Sequence, residues 1–162
     1  MRKNLRLVLI SLVLLTFQTT IITFTSIGNI IPDVLLIWIV YVAVTEGQIR
    51  STVVGFSIGL AMDLVSGQFL GLSALAKTIA GFLSGYFYHE NKVDVTLGGY
   101  QFLVIVAIAS FVHNVVYFVI FTQGSAVSTA TAVFEFGLFS TIYTTVVALV
   151  PMFIFSRKGK LR

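Results

Sequence analysis

The sequence predicts an all-α integral membrane protein with six transmembrane helices in one bundle and both termini in the cytoplasm. Of the 162 residues, 57% are hydrophobic and only 10% are charged, and the mean hydropathy is +1.02. A soluble domain of this length has too much surface to hide such a composition. Long apolar runs alternate with short polar segments, and the basic residues gather at the termini and in particular connections. The length suits one transmembrane domain over residues 1–162.

The apolar runs and the breaks between them predict helices at about residues 7–27, 32–45, 51–65, 73–88, 100–122 and 134–155. The first run follows a basic segment and lacks the short apolar region and small-residue cleavage site of a secretory signal, so we interpret it as an uncleaved helix. Pro32 suits the first turn of the second helix, and the polar segment Glu46–Gly47–Gln48 ends that helix.

The second, third and fourth predicted helices are shorter than the roughly 20 residues of a straight membrane span. Either the bundle is locally thin, or connections such as the apolar Gly67–Gly71 lie within the membrane, buried in protein or beside a cavity. The charged segment His89–Gly99 is predicted to be a loop before the fifth helix. The small, polar segment Gln123–Thr131 is predicted to connect the last two helices.

The positive charges predict the orientation. With the N-terminus inside, nine of the ten Lys and Arg residues fall on the cytoplasmic side, and the tenth, Lys77, lies within a helix. The nine are Arg2, Lys3, Arg6, Arg50, Lys92, Arg157, Lys158, Lys160 and Arg162. An odd number of helices would place the basic C-terminal residues outside, against the positive-inside rule. We therefore attribute the net charge of +4 to the positive residues on the cytoplasmic side of the membrane and not to nucleic-acid binding.

Small residues recur every fourth position on the third and fourth predicted helices. The two sets are Gly47, Ser51, Gly55, Gly59, Asp63 and Gly67 on the third helix, and Ser73, Lys77, Gly81 and Gly85 on the fourth. Such stripes let two helices approach backbone to backbone. We therefore predict close antiparallel packing with Gly55, Gly59, Gly81 and Gly85 at the contact.

Two ionisable residues lie on these stripes. Asp63 and Lys77 are each seven residues from Leu70, so an antiparallel hairpin places them at the same depth. An ionisable residue within a membrane is costly and usually pairs with an opposite charge. The sequence therefore predicts a buried ion pair between Asp63 and Lys77. Either the pair only fixes the register of the helices, or these residues also contact a ligand or a partner.

Further polar residues map to the outer half of the predicted bundle, where they could line an outward-facing cavity. They are Asp33, His113, Asn114, Tyr117 and Glu135. For His113 the alternative is a hydrogen bond inside the bundle. For Glu135 the alternative is a favourable position at the start of a helix, where the helix dipole stabilises a carboxylate.

The sequence gives little support for catalysis. It contains none of the common hydrolase, metalloprotease or P-loop motifs and no cluster with metal-ligand spacing. The absence of Cys excludes disulfides and thiolate metal sites. We therefore predict no catalytic residues, no cofactor and no metal, and the chain is not expected to be an enzyme.

An ordered set of motifs resembles the rod shape-determining protein MreD family. These motifs are Pro32–Asp33 at the start of an apolar helix, the glycines and Asp63 of the third helix, and Gly67 followed by Gly71–Leu72. They fall within residues 32–87, about a third of the chain, and the rest agrees in hydropathy. The resemblance implies an outer-side motif or partner contact at Pro32, Asp33, Gly67 and Gly71.

The same resemblance implies a non-enzymatic scaffold of the bacterial cell-wall elongation complex, needed for rod shape and lateral peptidoglycan synthesis. It implies location in the bacterial inner (plasma) membrane, among its lipids. The implied partners are MreC and, through the complex, MreB, RodA and a class B penicillin-binding transpeptidase.

The fold of this family is similar to the S-components of energy-coupling-factor transporters, which suggests an alternative function. In that alternative the chain is the vitamin-type substrate-binding membrane subunit of a transporter. The first helix contains neither Ala nor Gly, which departs from the small-residue contacts of S-components and disfavours this alternative. A proton-coupled carrier is a third class.

Overall fold

The computed structural model describes residues 2–20, 30–67, 69–124 and 128–159. The helices are α1 (Arg2–Thr20), α2 (Val34–Glu46), α3 (Gln48–Ser66), α4 (Leu72–Ser84), α5 (Val93–Gly98), α6 (Tyr100–Phe121), α7 (Thr129–Thr131), α8 (Leu138–Val147) and α9 (Leu149–Gly159). Short 3₁₀ turns occupy Gly85–Phe87 and Glu90–Lys92, and a π-helical segment, Ala132–Gly137, joins α7 to α8. Within these ranges the chain contains no β-strand, so the predicted all-α class is confirmed.

Three helical segments of the described chain are long and apolar enough to cross a membrane. They are α3, α6 and the segment Thr129–Arg157, which runs through the π-helical turns. Two shorter apolar helices accompany them, Asn4–Thr20 and Val34–Glu46. Six crossings with both termini inside stay a prediction.

Helix α2 lies at the centre of the bundle. Its residues are apolar around the whole helix, and Leu36, Ile39 and Val40 are fully buried. A helix that is hydrophobic on every side must be covered on every side. The core around it includes Phe102 and Val106 of α6, so α2 is the element on which the others pack.

Helices α3 and α4 form an antiparallel hairpin in direct backbone contact. A Cβ atom on Gly55 would lie 2.5 Å from the carbonyl oxygen of Lys77, and one on Gly81 would lie 2.7 Å from that of Ser51. Both distances are shorter than side-chain atoms tolerate. Cβ atoms on Gly59 and Gly85 would likewise overlap backbone of the facing helix. The two small-residue stripes thus face each other along the length of the hairpin.

Helix α1 is held to α2 by a specific polar contact as well as by packing. The indole Nε1 of Trp38 donates a hydrogen bond to Ser11 Oγ at 3.0 Å. The same ring stacks on Tyr41, which in turn stacks on Phe155 of α9. Helices α1, α2 and α9 therefore meet at this point, α1 through Ser11 and the other two through their stacked rings.

The structure differs from the predicted boundaries at several helices. The third helix begins at Gln48 and not at residue 51, so it is long enough to span a membrane, and the fourth ends at Ser84 and not at residue 88. The first helix begins at Arg2 and not at residue 7, because the basic N-terminal segment is itself helical. Its predicted end at residue 27 lies outside the described residues. The prediction of a loop over His89–Gly99 was wrong. That segment contains α5, which buries Leu97 in the core and brings Gly98 against Ser156 of α9.

The last predicted helix also begins earlier than expected, at Thr129 and not at residue 134. Ala132 is buried there. Thr122 and Thr129 share a hydrogen bond of 2.7 Å between their hydroxyl groups. The last residues of the predicted connection, Thr129–Thr131, are therefore helical, and the hydroxyl bond joins their helix to the end of α6.

Candidate functional site: a buried ion pair beside a cavity

A buried ion pair joins α4 to the start of α2. Lys77 Nζ donates to Asp33 Oδ2, and the lysine side chain is only 3% exposed. Lys77 was predicted to pair with Asp63, and that prediction was wrong. Asp33 lies 44 positions away in the sequence, so its approach to Lys77 depends on how α2 packs against the hairpin.

Asp33 is positioned by several backbone contacts. Its Oδ1 accepts a hydrogen bond of 2.9 Å from the backbone N–H of Leu36, which makes it the N-cap of α2. Its own backbone N–H donates to the hydroxyl of the buried Thr144 at 3.0 Å. One carboxylate therefore caps a helix with one oxygen and binds Lys77 with the other.

Asp63 has a different role from the predicted one. It is fully buried, and its carboxylate accepts three backbone hydrogen bonds, from Gly71 at 2.9 Å, Ser73 at 3.0 Å and Ala74 at 3.2 Å. These N–H groups belong to the start of α4, where helical backbone leaves donors unsatisfied and the helix dipole favours negative charge. Asp63 thus caps the next helix from across the hairpin, which explains why it needs no lysine.

The turn between α3 and α4 depends on two glycines of the predicted outer-side motif. Gly67 has φ of +65° and Gly71 has φ of +96°, a region that residues with a Cβ seldom adopt. Gly67 ends α3, and Gly71 precedes α4 while donating its N–H to Asp63. Both positions therefore have a conformational role that is independent of any partner.

Pro32, the other residue of that motif, is also enclosed. It is fully buried, and its carbonyl oxygen accepts a hydrogen bond of 3.0 Å from Gln18 Nε2. The Gln18 Oε1 atom accepts from the backbone N–H of Val34 at 3.0 Å. A partner contact at Pro32 is therefore not supported, because the protein itself covers this residue.

Gln18 and Thr144 were not singled out from the sequence, although both hold the start of α2 in place. The sequence feature that could have identified them was their polarity. Each is a buried polar side chain within an apolar helix, and such residues usually satisfy a specific partner.

His113, Asn114 and Tyr117 come together on α6, as predicted. His113 Nε2 lies 3.7 Å from Asp33 Oδ2, and its ring centroid is 6.0 Å from that of Tyr117. Asn114 Nδ2 donates to the carbonyl oxygen of Gly137 at 3.1 Å and to Thr141 Oγ1 at 3.0 Å. Asn114 thereby ties α6 to the last helical segment.

These residues line a cavity of about 500 Å³ at the end of the bundle that is predicted to face outward. The lining is formed by Gln18, Ile30, Ile31, Asp33, Met62, His113, Asn114, Tyr117, Phe118, Phe121, Phe136 and Ser140. The lining combines polar side chains with aromatic rings, and the His113 and Tyr117 rings lie side by side in it. The cavity can therefore accept a molecule with one polar and one apolar side.

Glu135 was predicted to belong to this cavity, and that prediction was wrong. It is exposed in the π-helical segment and does not line the cavity, whereas its neighbour Phe136 does. The helix also begins at Thr129, which is six residues before Glu135. Glu135 is therefore outside the first turn, where the helix dipole would stabilise a carboxylate.

The two acidic side chains of this cluster already have hydrogen-bond partners. The carboxylate of Asp63 is occupied by backbone donors, and that of Asp33 by Lys77 and Leu36. Within the described ranges, no group of three or more His, Cys, Asp or Glu side chains could hold a metal ion.

The sequence profile of rod shape-determining protein MreD matches residues 1–158, which include every residue of the site described above. No curated protein and no solved structure matches the chain significantly, so similarity to the S-components stays a prediction. The profile match confirms the resemblance carried by Pro32, Asp33, Asp63 and the glycines of the hairpin. Since it extends over nearly the whole sequence, this membrane protein belongs to the rod shape-determining protein MreD family.

Proposed function

We propose that this chain is a non-enzymatic scaffold of the bacterial cell-wall elongation complex, acting as one transmembrane domain in the inner membrane. The observation that carries the proposal is the family match over residues 1–158, since that family determines rod shape. The geometry of the site supports a role in which no substrate is converted. Its charged side chains bind one another or the backbone, which stabilises a fixed arrangement of helices.

The proposed partners are MreC and, through it, MreB, RodA and a class B penicillin-binding transpeptidase. Contact with a membrane partner would use helix faces and the short outer connections, because lipid leaves little hydrophobic drive between helices and packing must supply the affinity. The connection between α3 and α4 offers such a contact. Phe69 is 75% exposed there, next to the exposed Leu70.

Depletion in a rod-shaped host tests the function. We expect round, swollen cells, and we expect the unaltered chain supplied in trans to restore the rod shape. Normal shape on depletion would refute the proposal. Impaired vitamin uptake with normal shape would favour the transporter alternative.

Complementation with a surface variant tests the outer connection. We expect Phe69→Asp to be inserted and folded at the normal level but to leave the cells round, because a charge replaces an apolar contact. The matched control is Ile49→Asp at the opposite end of α3, where Ile49 is 82% exposed. The control should restore the shape, and equal failure of both variants would contradict an outer contact.

Co-purification in mild detergent tests the partners. We expect cell-wall elongation proteins to accompany the tagged chain, with less of them bound to Phe69→Asp than to Ile49→Asp. Recovery of an ATPase module in their place would point to a transporter.

A further inference from the structure

The cavity described above combines polar and aromatic lining residues. Asp33, His113 and Asn114 contribute to the polar wall. The aromatic wall adjoins it and consists of Tyr117, Phe118, Phe121 and Phe136, whose rings contact one another. The volume of the cavity, about 500 Å³, falls within the range of small-molecule sites, roughly 300–1,000 Å³. Convergent polar groups in a largely apolar cavity are the usual form of a ligand site.

The polar wall presents the carboxylate of Asp33 as a hydrogen-bond acceptor, and the described lining residues offer no free cation. Lys77 is only 3% exposed and is bonded to Asp33, whereas the Asp33 and His113 side chains remain 18% and 10% exposed. The 3.7 Å between His113 Nε2 and Asp33 Oδ2 exceeds a hydrogen bond. The two atoms therefore do not bond to each other, and a donor group in the cavity can contact both from one side.

We propose that this cavity binds a small amphipathic molecule with a hydroxyl or ammonium head and an apolar body. The head donates a hydrogen bond to the Asp33 carboxylate and contacts the His113 imidazole. The body packs against the aromatic wall, where an ammonium head also gains attraction to the ring faces. A carboxylate or phosphate head is disfavoured, because it would meet the carboxylate of Asp33 while the nearest cation is already paired.

A probe series with one tail and three heads tests the head chemistry. The protein, labelled with ¹⁵N-histidine, is placed in nanodiscs of phosphatidylcholine, whose head group donates no hydrogen bond. Octanol, octylamine and octanoate are then titrated separately. We expect a saturable shift of the His113 ring resonances with octanol and octylamine. Octanoate should bind at least about tenfold more weakly, which corresponds to one charge-assisted hydrogen bond lost.

The chain provides its own control for non-specific partitioning. It contains two histidines, and His89 is exposed in the connection before α5, with Nδ1 3.3 Å from the carbonyl oxygen of Phe87. Its resonances should not change with the probes. A non-saturable response, an equal response to octanoate, equal shifts of both histidines or no response of His113 would overturn the proposal.

A matched pair of variants tests the location. Ser140→Phe places a ring in the cavity and should abolish the saturable shift, whereas Ser57→Phe on the exposed face of α3 should retain it. Retention of the shift in a folded Ser140→Phe protein would overturn the assignment. If Ser140→Phe does not fold, the probe series in the unaltered protein still tests whether the cavity binds a donor head group.

Nanodiscs of a second lipid separate the two sources of such a head group. If the ligand is a lipid, phosphatidylethanolamine nanodiscs will shift His113 before any probe is added, and octylamine will then cause little further change. If the ligand is a soluble amine or alcohol, the choice of lipid will leave His113 unchanged and octylamine will bind equally in both. The site does not depend on the scaffold role, so cell shape and probe binding can fail independently.

Discussion

Replacement of Asp63 tests whether one carboxylate holds the start of α4. Asp63→Ala removes the acceptor of three buried backbone N–H groups, at 2.9, 3.0 and 3.2 Å. A hydrogen bond to a charged group contributes about 1.5–3 kcal/mol, but the three share one carboxylate whose burial is itself costly, so they do not add fully. We therefore expect Asp63→Ala to lower the free energy of unfolding by about 3–5 kcal/mol.

The measurement is reversible unfolding by sodium dodecyl sulfate in mixed micelles, followed by circular dichroism. Asp63→Asn keeps one acceptor oxygen and should lose about half as much. The control is Ser57→Ala, which removes a local hydroxyl contact on the exposed face of the same helix and should stay within about 0.5 kcal/mol of the unaltered protein. A loss below about 1 kcal/mol for Asp63→Ala would refute the capping role.

Three further predictions concern the ion pair, the hairpin and the topology. Lys77→Met should cost about 3–5 kcal/mol because it leaves the charge of Asp33 buried and unpaired, and adding Asp33→Asn should recover most of the loss; no recovery in the double variant would exclude the pair. Gly59→Leu should sharply lower the yield of folded protein because the facing backbone leaves no space for a side chain, whereas Ser57→Leu on the exposed face should not; equal losses would contradict the close packing. A reporter that is active only outside the membrane should be silent when fused after Arg162, and activity there would refute the predicted orientation.

The sequence allowed the hairpin to be predicted because its signal is periodic. Glycines spaced by four residues lie on one helix face, and the facing backbones in the structure lie against Gly55 and Gly81. The depth of Asp63 and Lys77 followed from counting residues to the turn. Their partners did not, because counting to the turn paired Lys77 with Asp63, whereas Asp33 reaches Lys77 only through the packing of α2 against the hairpin.

Residues that act through tertiary contacts were the hardest to predict. Asp63 caps a helix that begins beyond the turn, a contact for which no local sequence pattern is diagnostic. Gln18 and Thr144 bond the backbone at the start of α2 from helices distant in sequence. Glu135 was predicted to line the cavity from its depth near the start of the last helix, and depth alone does not give the face on which a side chain lies; the structure places it exposed in the π-helical segment.

The single tryptophan of this chain makes the protein its own optical reporter. Its indole N–H is bonded to Ser11 of α1, and its ring stacks on Tyr41. Release of α1 from the bundle would break the hydrogen bond, remove Leu15 from the apolar cluster around Ile39 and leave the indole facing lipid, which changes its emission. Fluorescence of the purified, unlabelled protein in nanodiscs can therefore follow, in real time, whether a binding partner that lacks tryptophan inserts between α1 and α2.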